Sequence, residues 1–379
     1  MSEEENKAIF RRYIEEIANQ GNLEVTDEIF DHYIAHQPDG SILERAPEDV
    51  KRFQRQWRSA FPDIRISIED QIADGDKLVS RITIRGTYQR EFRGIAPTGR
   101  KIELSGVTIF RFSPEGKVVE TWDYYDQLSL LRQSIEHELR VARRIQSASL
   151  PKEVPTLEGW QITPFYQPAR EVGGDFFDFH LLSEGRLGVV VGDATGKGVP
   201  AALVMSTTCG MLQVAAQALD SSSPREILEQ VNETLLARIP PNMFVTCFYT
   251  ILDPESGQLV YANAGHDLPY LRRRGGDCEE LRATGMPLGL MPGMSYEENE
   301  IVLDADEAVL FYSDGLVEAH DPKGEMFGFP RLRALVAEHG EERSLGNSLL
   351  EELYSFAGED WEQEDDITLL TLRRAAASR

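Results

Sequence analysis

The stretch Val191-Gly192-Asp193-Ala194-Thr195-Gly196-Lys197-Gly198-Val199-Pro200-Ala201-Ala202 joins the end of an apolar run, Leu187 to Val191, to the start of a long apolar helix. Three glycines allow a sharp turn and a close backbone approach just after a strand. Asp193 falls at the strand end, where a buried carboxylate is unfavourable unless its charge is compensated. Pro200 suits the first turn of a helix predicted to run to about Leu219. The glycines do not make a nucleotide-binding loop, because the Walker spacing is absent and no Ser or Thr follows Lys197.

Three further acidic sites have the same character. Asp175 follows Gly173-Gly174, Asp314 lies in Ser313-Asp314-Gly315 after Ala308 to Tyr312, and the pair Asp365-Asp366 precedes Ile367 to Leu370. Taken singly, an aspartate beside glycine is more often a turn or a cap than a ligand. Here four such sites flank separate predicted strands, and Lys197 is the only nearby lysine. Bound divalent metal answers the charge, since hard cations prefer carboxylate oxygens and water.

Composition narrows the classes. The chain has 379 residues, 41% apolar and 27% charged, enough for two or three domains with buried cores. Its formal net charge of −25 opposes binding to nucleic acid or to an anionic membrane. Cys209, Cys247 and Cys278 are too far apart for a metal or redox motif and fit a reduced, cytoplasmic setting. The start, MSEEENKAIF, has no signal-peptide pattern, and no window is expected to reach the roughly 18 apolar residues of a membrane span.

Three zones follow along the chain. Residues 1–127 begin with helices: a period from Ala8 to Ile17 ended by Gly21, a short segment at Val25 to Phe30, and a third helix opening at Pro47. Alternation then predicts strands at Ile64 to Ile68, Val79 to Tyr88, Ile102 to Phe112 and Val118 to Tyr125. Residues 128–150 read as a linker helix, with Leu131, Ile135, Leu139, Ala142 and Ile145 at helical spacing. It either lies on a neighbouring domain or pairs with a second copy as a short coiled coil, making a homodimer. Residues 151–373 mix strands with two long helices, about Pro200 to Leu219 and Pro224 to Ile239. The last residues, RRAAASR, are expected to fray.

The opening stretch resembles the signature of bacterial metal-dependent phosphatases of the PPM (type 2C) family, in the subclass of sporulation and stress-response regulators. Matching segments follow in order: Glu171-Val172-Gly173-Gly174-Asp175-Phe176-Phe177-Asp178, Met243-Phe244-Val245-Thr246, Tyr261-Ala262-Asn263-Ala264-Gly265-His266, Gly285-Met286-Pro287-Leu288-Gly289, Tyr312-Ser313-Asp314-Gly315-Leu316 and Asp365-Asp366-Ile367-Thr368. The helix from Glu138 to Gln146 resembles the segment leading into that domain. The resemblance implies an α-β-β-α sandwich of two antiparallel sheets with metals at one end. It implies two Mn2+ or Mg2+ ions bridged by Asp193, with the Ala194 carbonyl completing one of them. Asp314 and Asp365 would hold one ion, and Asp175 would bind the other directly or through water. Asp366 stays open as the substitute for Asp365. The nucleophile would be metal-activated water, with no protein nucleophile. Thr195 stands where eukaryotic members carry a histidine, which leaves the general acid unassigned. Arg170 has the offset of a phosphate-binding arginine, although an exposed loop arginine is the simpler reading. His266 is expected to support the fold.

Residues 1–127 resemble SnoaL-like proteins of the nuclear transport factor 2-like superfamily. The resemblance rests on Tyr33-Ile34-Ala35-His36-Gln37-Pro38, Phe61-Pro62-Asp63, Arg85-Gly86-Thr87, Gly94-Ile95-Ala96-Pro97-Thr98-Gly99-Arg100, Ile109-Phe110-Arg111-Phe112 and Glu120-Thr121-Trp122-Asp123. It implies an α+β cone around an apolar pocket, with His36, Trp122, Asp123 and Asp126 as pocket candidates for a small-molecule ligand. The whole chain is then expected to be α+β: a sensor cone, a linker helix and a phosphatase sandwich. By the same resemblance the substrate would be a phosphorylated anti-anti-sigma (STAS-type) protein. Two other classes stay open, a non-catalytic binding scaffold and a cyclase or isomerase fused to a regulatory phosphatase.

Overall fold

The computed structural model describes residues 2–37, 39–92, 94, 96–219, 223–339, 344–359 and 361–376. Pro38 and Ile95 of the quoted motifs and residues 377–379 of the tail lie outside the described residues, as does the side chain of Leu131. The chain divides into two compact units, Met1–Glu138 and Leu139–Arg379.

In the first unit, helix α1 (Glu3–Arg12) is opened by a capping box in which Ser2 and Glu5 bond each other's backbone N–H. The predicted long first helix is two pieces, because the turns from Tyr13 to Asn19 widen into a π-helix. A short α2 (Thr26–Ile29) leads into β1 (Phe30–His36), β2 (Ile42–Arg45) and α3 (Pro47–Ala60). Strands β3 (Arg65–Asp74), β4 (Lys77–Thr87), β5 (Lys101–Phe112) and β6 (Val118–Tyr125) complete a six-stranded sheet in the order β2-β1-β6-β5-β4-β3. Burial alternates along β4 and β5, so one face packs under the helices on Phe10, Trp57, Phe61, Leu78 and Phe110. Strands β1 and β2 were not expected. The segment FDHYIAH has no apolar alternation, and it becomes a strand by pairing parallel to β6 and antiparallel to β2.

Helix α4 (Gln127–Ser147) contributes its last turns to the second unit, which is built on two five-stranded antiparallel sheets. One contains β8 (Asp175–Leu181), β9 (Leu187–Ala194), β10 (Val245–Leu252), β11 (Gln258–Ala264) and β14 (Glu298–Val302). The other contains β7 (Trp160–Gln167), β12 (Tyr270–Arg272), β13 (Cys278–Glu280), β15 (Ala308–Tyr312) and β16 (Ile367–Arg374). Helices α5 (Val199–Leu219) and α6 (Pro224–Leu236) pack on the first sheet. After the one-turn α7 (Asp314–Val317), α8 (Phe329–Glu338) and α9 (Leu345–Ala357) pack on the second. The strand period explains the layering. Val189 and Val191 face the inter-sheet core while Val190 faces α5, and Leu370 and Leu372 face it while Leu369 turns to the helices. The result is the expected α-β-β-α sandwich.

Helix α5 corrects one expectation. Its 21 residues are apolar and long enough, by length and composition alone, to cross a membrane. In the fold it is a core helix: Ala201, Met205, Thr208 and Leu212 are buried against the first sheet, whereas Leu203 and Val214 are about two-thirds exposed. Phe248 is fully buried at the centre of the inter-sheet layer, its ring 5.5 Å from Tyr261 and 6.0 Å from Phe311. Phe248→Ala should therefore destabilise this unit by about 3–5 kcal/mol, read as a lower midpoint in urea unfolding followed by near-ultraviolet circular dichroism.

Candidate active site

The ends of four strands bring the acidic residues together. Asp175 opens β8 directly opposite Asp193 near the end of β9, and Thr246 of β10 is the other neighbour of Asp193. From the second sheet, β15 runs out into Asp314 in the first turn of α7, and Asp365-Asp366 leads into β16. The sheets are tied here by side chains. The Thr368 hydroxyl donates to Asp175 Oδ2 at 2.7 Å, and the Thr368 N–H donates to Ser313 Oγ at 2.9 Å. Glycine is required at 174, since a Cβ there would lie 2.6 Å from the Ala194 carbonyl oxygen and 2.8 Å from Asp193 Oδ1.

The two adjacent aspartates are engaged differently. Asp366 is buried and accepts three backbone N–H bonds: from Ala169 (2.8 Å) to Oδ1, and from Gly174 (2.6 Å) and Asp175 (3.3 Å) to Oδ2. Asp365 keeps about a third of its side chain exposed. Its Oδ1 accepts the N–H of Asp366, and its Oδ2 pairs with Lys197 at 2.8 Å. Lys197 also donates to the Glu364 carbonyl at 2.7 Å.

Burial and neighbouring carboxylates disfavour the charged forms of Asp175, Asp193 and Asp314. Burial, then the charges of Asp314, Asp365 and Asp366, push Asp193 up to about 8. Burial, then Asp365 and Glu318, push Asp314 up to about 6. Asp175 is driven well above the carboxylate range by burial and then by Asp193 and Asp366. A hard cation would relieve this charge, and the oxygens suit one: Asp193 Oδ1 and the Ala194 carbonyl both face the space that a side chain at Gly174 would fill. Among the described residues, however, no three carboxylate, histidine or cysteine side chains converge closely enough to grip an ion by themselves. The set therefore fits an ion such as Mg2+, which takes one or two carboxylates and completes its shell with carbonyl and water oxygens.

The remaining sequence candidates fall into place around this floor. The Thr195 hydroxyl donates to the Phe244 carbonyl at 2.6 Å and accepts the Phe244 N–H at 3.1 Å, so it braces β9 against the approach to β10. His266 donates through Nε2 to the Tyr312 carbonyl (3.1 Å) and accepts the Thr246 hydroxyl at Nδ1 (2.9 Å), bridging the two sheets. Burial lowers it to about 4, which keeps it neutral. Arg170 is exposed, and its guanidinium lies 4.0 Å from the position a Cβ would take on Gly198, beside the Lys197 turn. Asp267 was missed. Its Oδ2 is buried with no hydrogen-bond partner among the described residues, and burial, then Asp314 and Glu318, raise it to about 6. The only signal was its place immediately after the quoted segment Tyr261 to His266.

The first unit contains a cavity of about 350 Å3, lined by Tyr13, Tyr33, Trp57, Phe92, Phe110 and Asp123 among others. Asp123 is the one pocket candidate that lines it. Its carboxyl accepts the Thr108 and Tyr125 hydroxyls and is raised by burial. His36, Trp122 and Asp126 are not in the lining, which corrects the expectation. Neighbouring strand residues face opposite ways, so Thr121, Asp123 and Tyr125 point in while Trp122 points out. There the Trp122 ring stacks on His36 at 4.5 Å and 6°, and His36 bonds Glu120 at 2.7 Å. Tyr13 and Tyr33, which line the cavity from the π-helical turn and from β1, were not among the pocket candidates.

Comparison with known proteins agrees with both halves. Residues 183–375, just over half of the chain, match the family described as "Stage II sporulation protein E (SpoIIE)", and residues 8–134 match that described as "SnoaL-like polyketide cyclase". Protein IcfG of Synechocystis sp. (strain ATCC 27184 / PCC 6803 / Kazusa) is 30% identical over 263 residues, 62% of this chain and 41% of IcfG. Phosphoserine phosphatase RsbU of Bacillus subtilis (strain 168) is 28% identical over 249 residues, 64% of this chain and 72% of RsbU. The crystal structure of the RsbU and RsbW domains of Rv1364c from Mycobacterium tuberculosis shares 30% identity at a TM-score of 0.51, covering 61% of this chain and 64% of that one. This chain thus spans about two-fifths of the length of IcfG. The chain belongs to the SpoIIE family of PPM-type phosphatases and carries a SnoaL-like domain in its N-terminal part.

The pKa shifts set a pH dependence. A raised carboxylate such as Asp193 makes the folded state hold protons that the unfolded state has released, so stability falls as pH rises from about 4 to about 8. His266 acts oppositely, but only below its unfolded value of 6.5. Without divalent cations, the melting temperature should fall between pH 6.5 and pH 8. Millimolar Mn2+ should raise it more at pH 8 than at pH 6, as differential scanning fluorimetry would record.

Proposed function

We propose that this chain is a Mn2+- or Mg2+-dependent phosphatase acting on phosphoserine or phosphothreonine of a protein partner. The observation that carries this reading is the placement of Asp175, Asp193, Asp314 and Asp365 at neighbouring strand ends at one end of the sandwich, where a bound cation would relieve the charge that raises Asp175, Asp193 and Asp314. In this reading Asp193 would serve both ions, the Ala194 carbonyl would complete one of them, Asp314 and Asp365 would hold one, and Asp175 would serve the other directly or through water. Asp366 is assigned a structural role, supported by its three backbone N–H bonds. Such ions, when bound, supply an activated water and neutralise charge on the transferring phosphoryl group.

The chain's own residues prepare the site for that chemistry. Burial of Asp175 and Asp366, and partial burial of Asp193 and Asp314, strengthens the charge interactions there. Lys197 and Arg170 stand on the rim as the cations that an incoming phosphate dianion meets. Thr195 and His266 are committed to backbone and inter-sheet hydrogen bonds, so neither is proposed as a proton donor.

The substrate we propose is a phosphorylated STAS-type anti-anti-sigma protein in a partner-switching pathway in the cytoplasm. The named activity of RsbU supports this, as does the joining of RsbU and RsbW domains in one chain of Rv1364c. The N-terminal cavity is proposed as a small-molecule sensor, and α4, which exposes Ile135, Val141 and Ile145, as the contact of a homodimer. A scaffold without catalysis is the competing class, disfavoured because it has no use for a buried carboxylate cluster.

Asp193→Asn should lower Mn2+-dependent hydrolysis of p-nitrophenyl phosphate and of a phosphorylated STAS protein by about 10²–10³-fold. No hydrolysis by the unaltered chain at millimolar Mn2+ would favour the scaffold. The neighbouring pair separates by readout. Asp365→Asn should weaken Mn2+ binding in calorimetry with little change in melting temperature. Asp366→Asn should chiefly lower the melting temperature, since an amide offers its three backbone donors only one oxygen. Asp123→Asn should leave hydrolysis intact; loss of a ring-forming or isomerase activity instead would support the fused-enzyme reading.

A further inference from the structure

Gln146 sits in the last turn of α4, outside the span matched to the SpoIIE family. It is about 5% exposed, while its neighbours Ile145 and Ser147 lie open to solvent. A buried glutamine needs partners for both ends of its amide, and here both are on one residue. The side-chain NH2 donates to the Gly173 carbonyl, and the Gly173 N–H donates to Gln146 Oε1 at 3.2 Å. The amide therefore satisfies the Gly173 main chain as a facing strand would, a pairing that no apolar or charged side chain reproduces. The same loop is approached by Arg143, one turn earlier on α4, whose guanidinium lies 3.7 Å from Glu171.

Gly173 is packed against the acidic floor. A Cβ on it would lie 2.3 Å from Asp366 Oδ2, and the next residue, Gly174, bonds Asp366 through its N–H and accepts the Ala194 N–H at 3.2 Å. Two peptides thus separate Gln146 from Asp175, and one separates it from the space faced by Asp193 Oδ1 and the Ala194 carbonyl. We infer that Gln146 is a positioning residue of the metal site: by clamping Gly173 it holds the Gly173-Gly174 turn where Asp175, Asp366 and the Ala194 carbonyl keep their aim. The inference rests on the metal-dependent reading above and adds to it a determinant of metal affinity supplied by the linker helix. Without the clamp, the buried Gly173 N–H and carbonyl lose their partners, and the turn shifts to recover them.

The test uses the full chain. Mn2+ affinity is measured by isothermal titration calorimetry well below the melting temperature, together with kcat and KM for p-nitrophenyl phosphate across Mn2+ concentrations. Gln146→Leu should bind Mn2+ about tenfold more weakly, the scale on which residues behind metal ligands act. Its kcat should recover toward the original at saturating Mn2+. Leu349→Ala, a buried change in α9 on the other sheet, should lower the melting temperature and leave Mn2+ affinity unchanged. Equal affinity in Gln146→Leu and the unaltered chain, or an equal loss in the Leu349→Ala control, overturns the inference. Should Gln146→Leu fail to fold, Gln146→Glu, which keeps the acceptor and loses the donor, carries the same expectation. Absence of Mn2+ binding by the unaltered chain defeats the metal-dependent reading itself, and this inference falls with it.

Discussion

The close packing of like charges at one end of the sandwich is the constraint on which the rest of this structure depends. Asp175, Asp193, Asp314, Asp365 and Asp366 come from both sheets, with Asp175 and Asp366 buried and the others partly so. Burial, and then neighbouring carboxylates, raise the cost of ionising Asp175, Asp193, Asp314 and Asp366. A chain gains nothing in stability from such an arrangement, so the surrounding architecture must hold it. Two sheets buried on both faces do so, with an inter-sheet layer around Phe248 and a helical layer outside each.

Local devices divide the load among the aspartates. Asp366 is compensated by backbone N–H groups and serves as a foundation for the loop from Ala169 to Asp175. Lys197 partly compensates Asp365. Among the described residues Asp193 has neither kind of support, and burial, then the charges of Asp314, Asp365 and Asp366, raise it to about 8. His266 and Thr246 link the sheets beneath the site through one neutral imidazole, which works as a two-ended connector because burial keeps a single proton on it. Glycines at 173 and 174 serve a spatial purpose: side chains there would strike Asp366 in one case and the Ala194 carbonyl in the other.

The N-terminal unit solves a different problem with the same strand geometry. Its sheet keeps an apolar face under helices but leaves a cavity into which β6 projects Thr121, Asp123 and Tyr125. Burial raises Asp123 there, against the lowering effect of the Thr108 and Tyr125 hydroxyls that it accepts. The outward neighbours of these residues, His36, Glu120 and Trp122, form their own stacked and hydrogen-bonded group on the opposite face.

Much of this was legible in the amino-acid order. Strand alternation marked four strands of the N-terminal sheet, and three apolar runs, the glycine turn after Asp193 and the proline-opened helices marked the acidic strand ends and long helices of the second unit; the sandwich itself was implied by the family resemblance. Partner-dependent features were not legible. The segment Phe30 to His36 is a strand only because β2 and β6 bond it, and α5 has the composition of a membrane span until a sheet covers one side. Asp365 and Asp366 are identical in sequence terms; three N–H groups from a loop almost two hundred residues away distinguish them. Trp122 and Asp123 both looked suited to a pocket, yet a strand can turn only one of two neighbours inward. Asp193 was thus marked as an acidic strand end by its sequence alone, whereas its crowding by four other carboxylates arose only when the sheets closed, because repulsion between charges depends on distance through space and not along the chain.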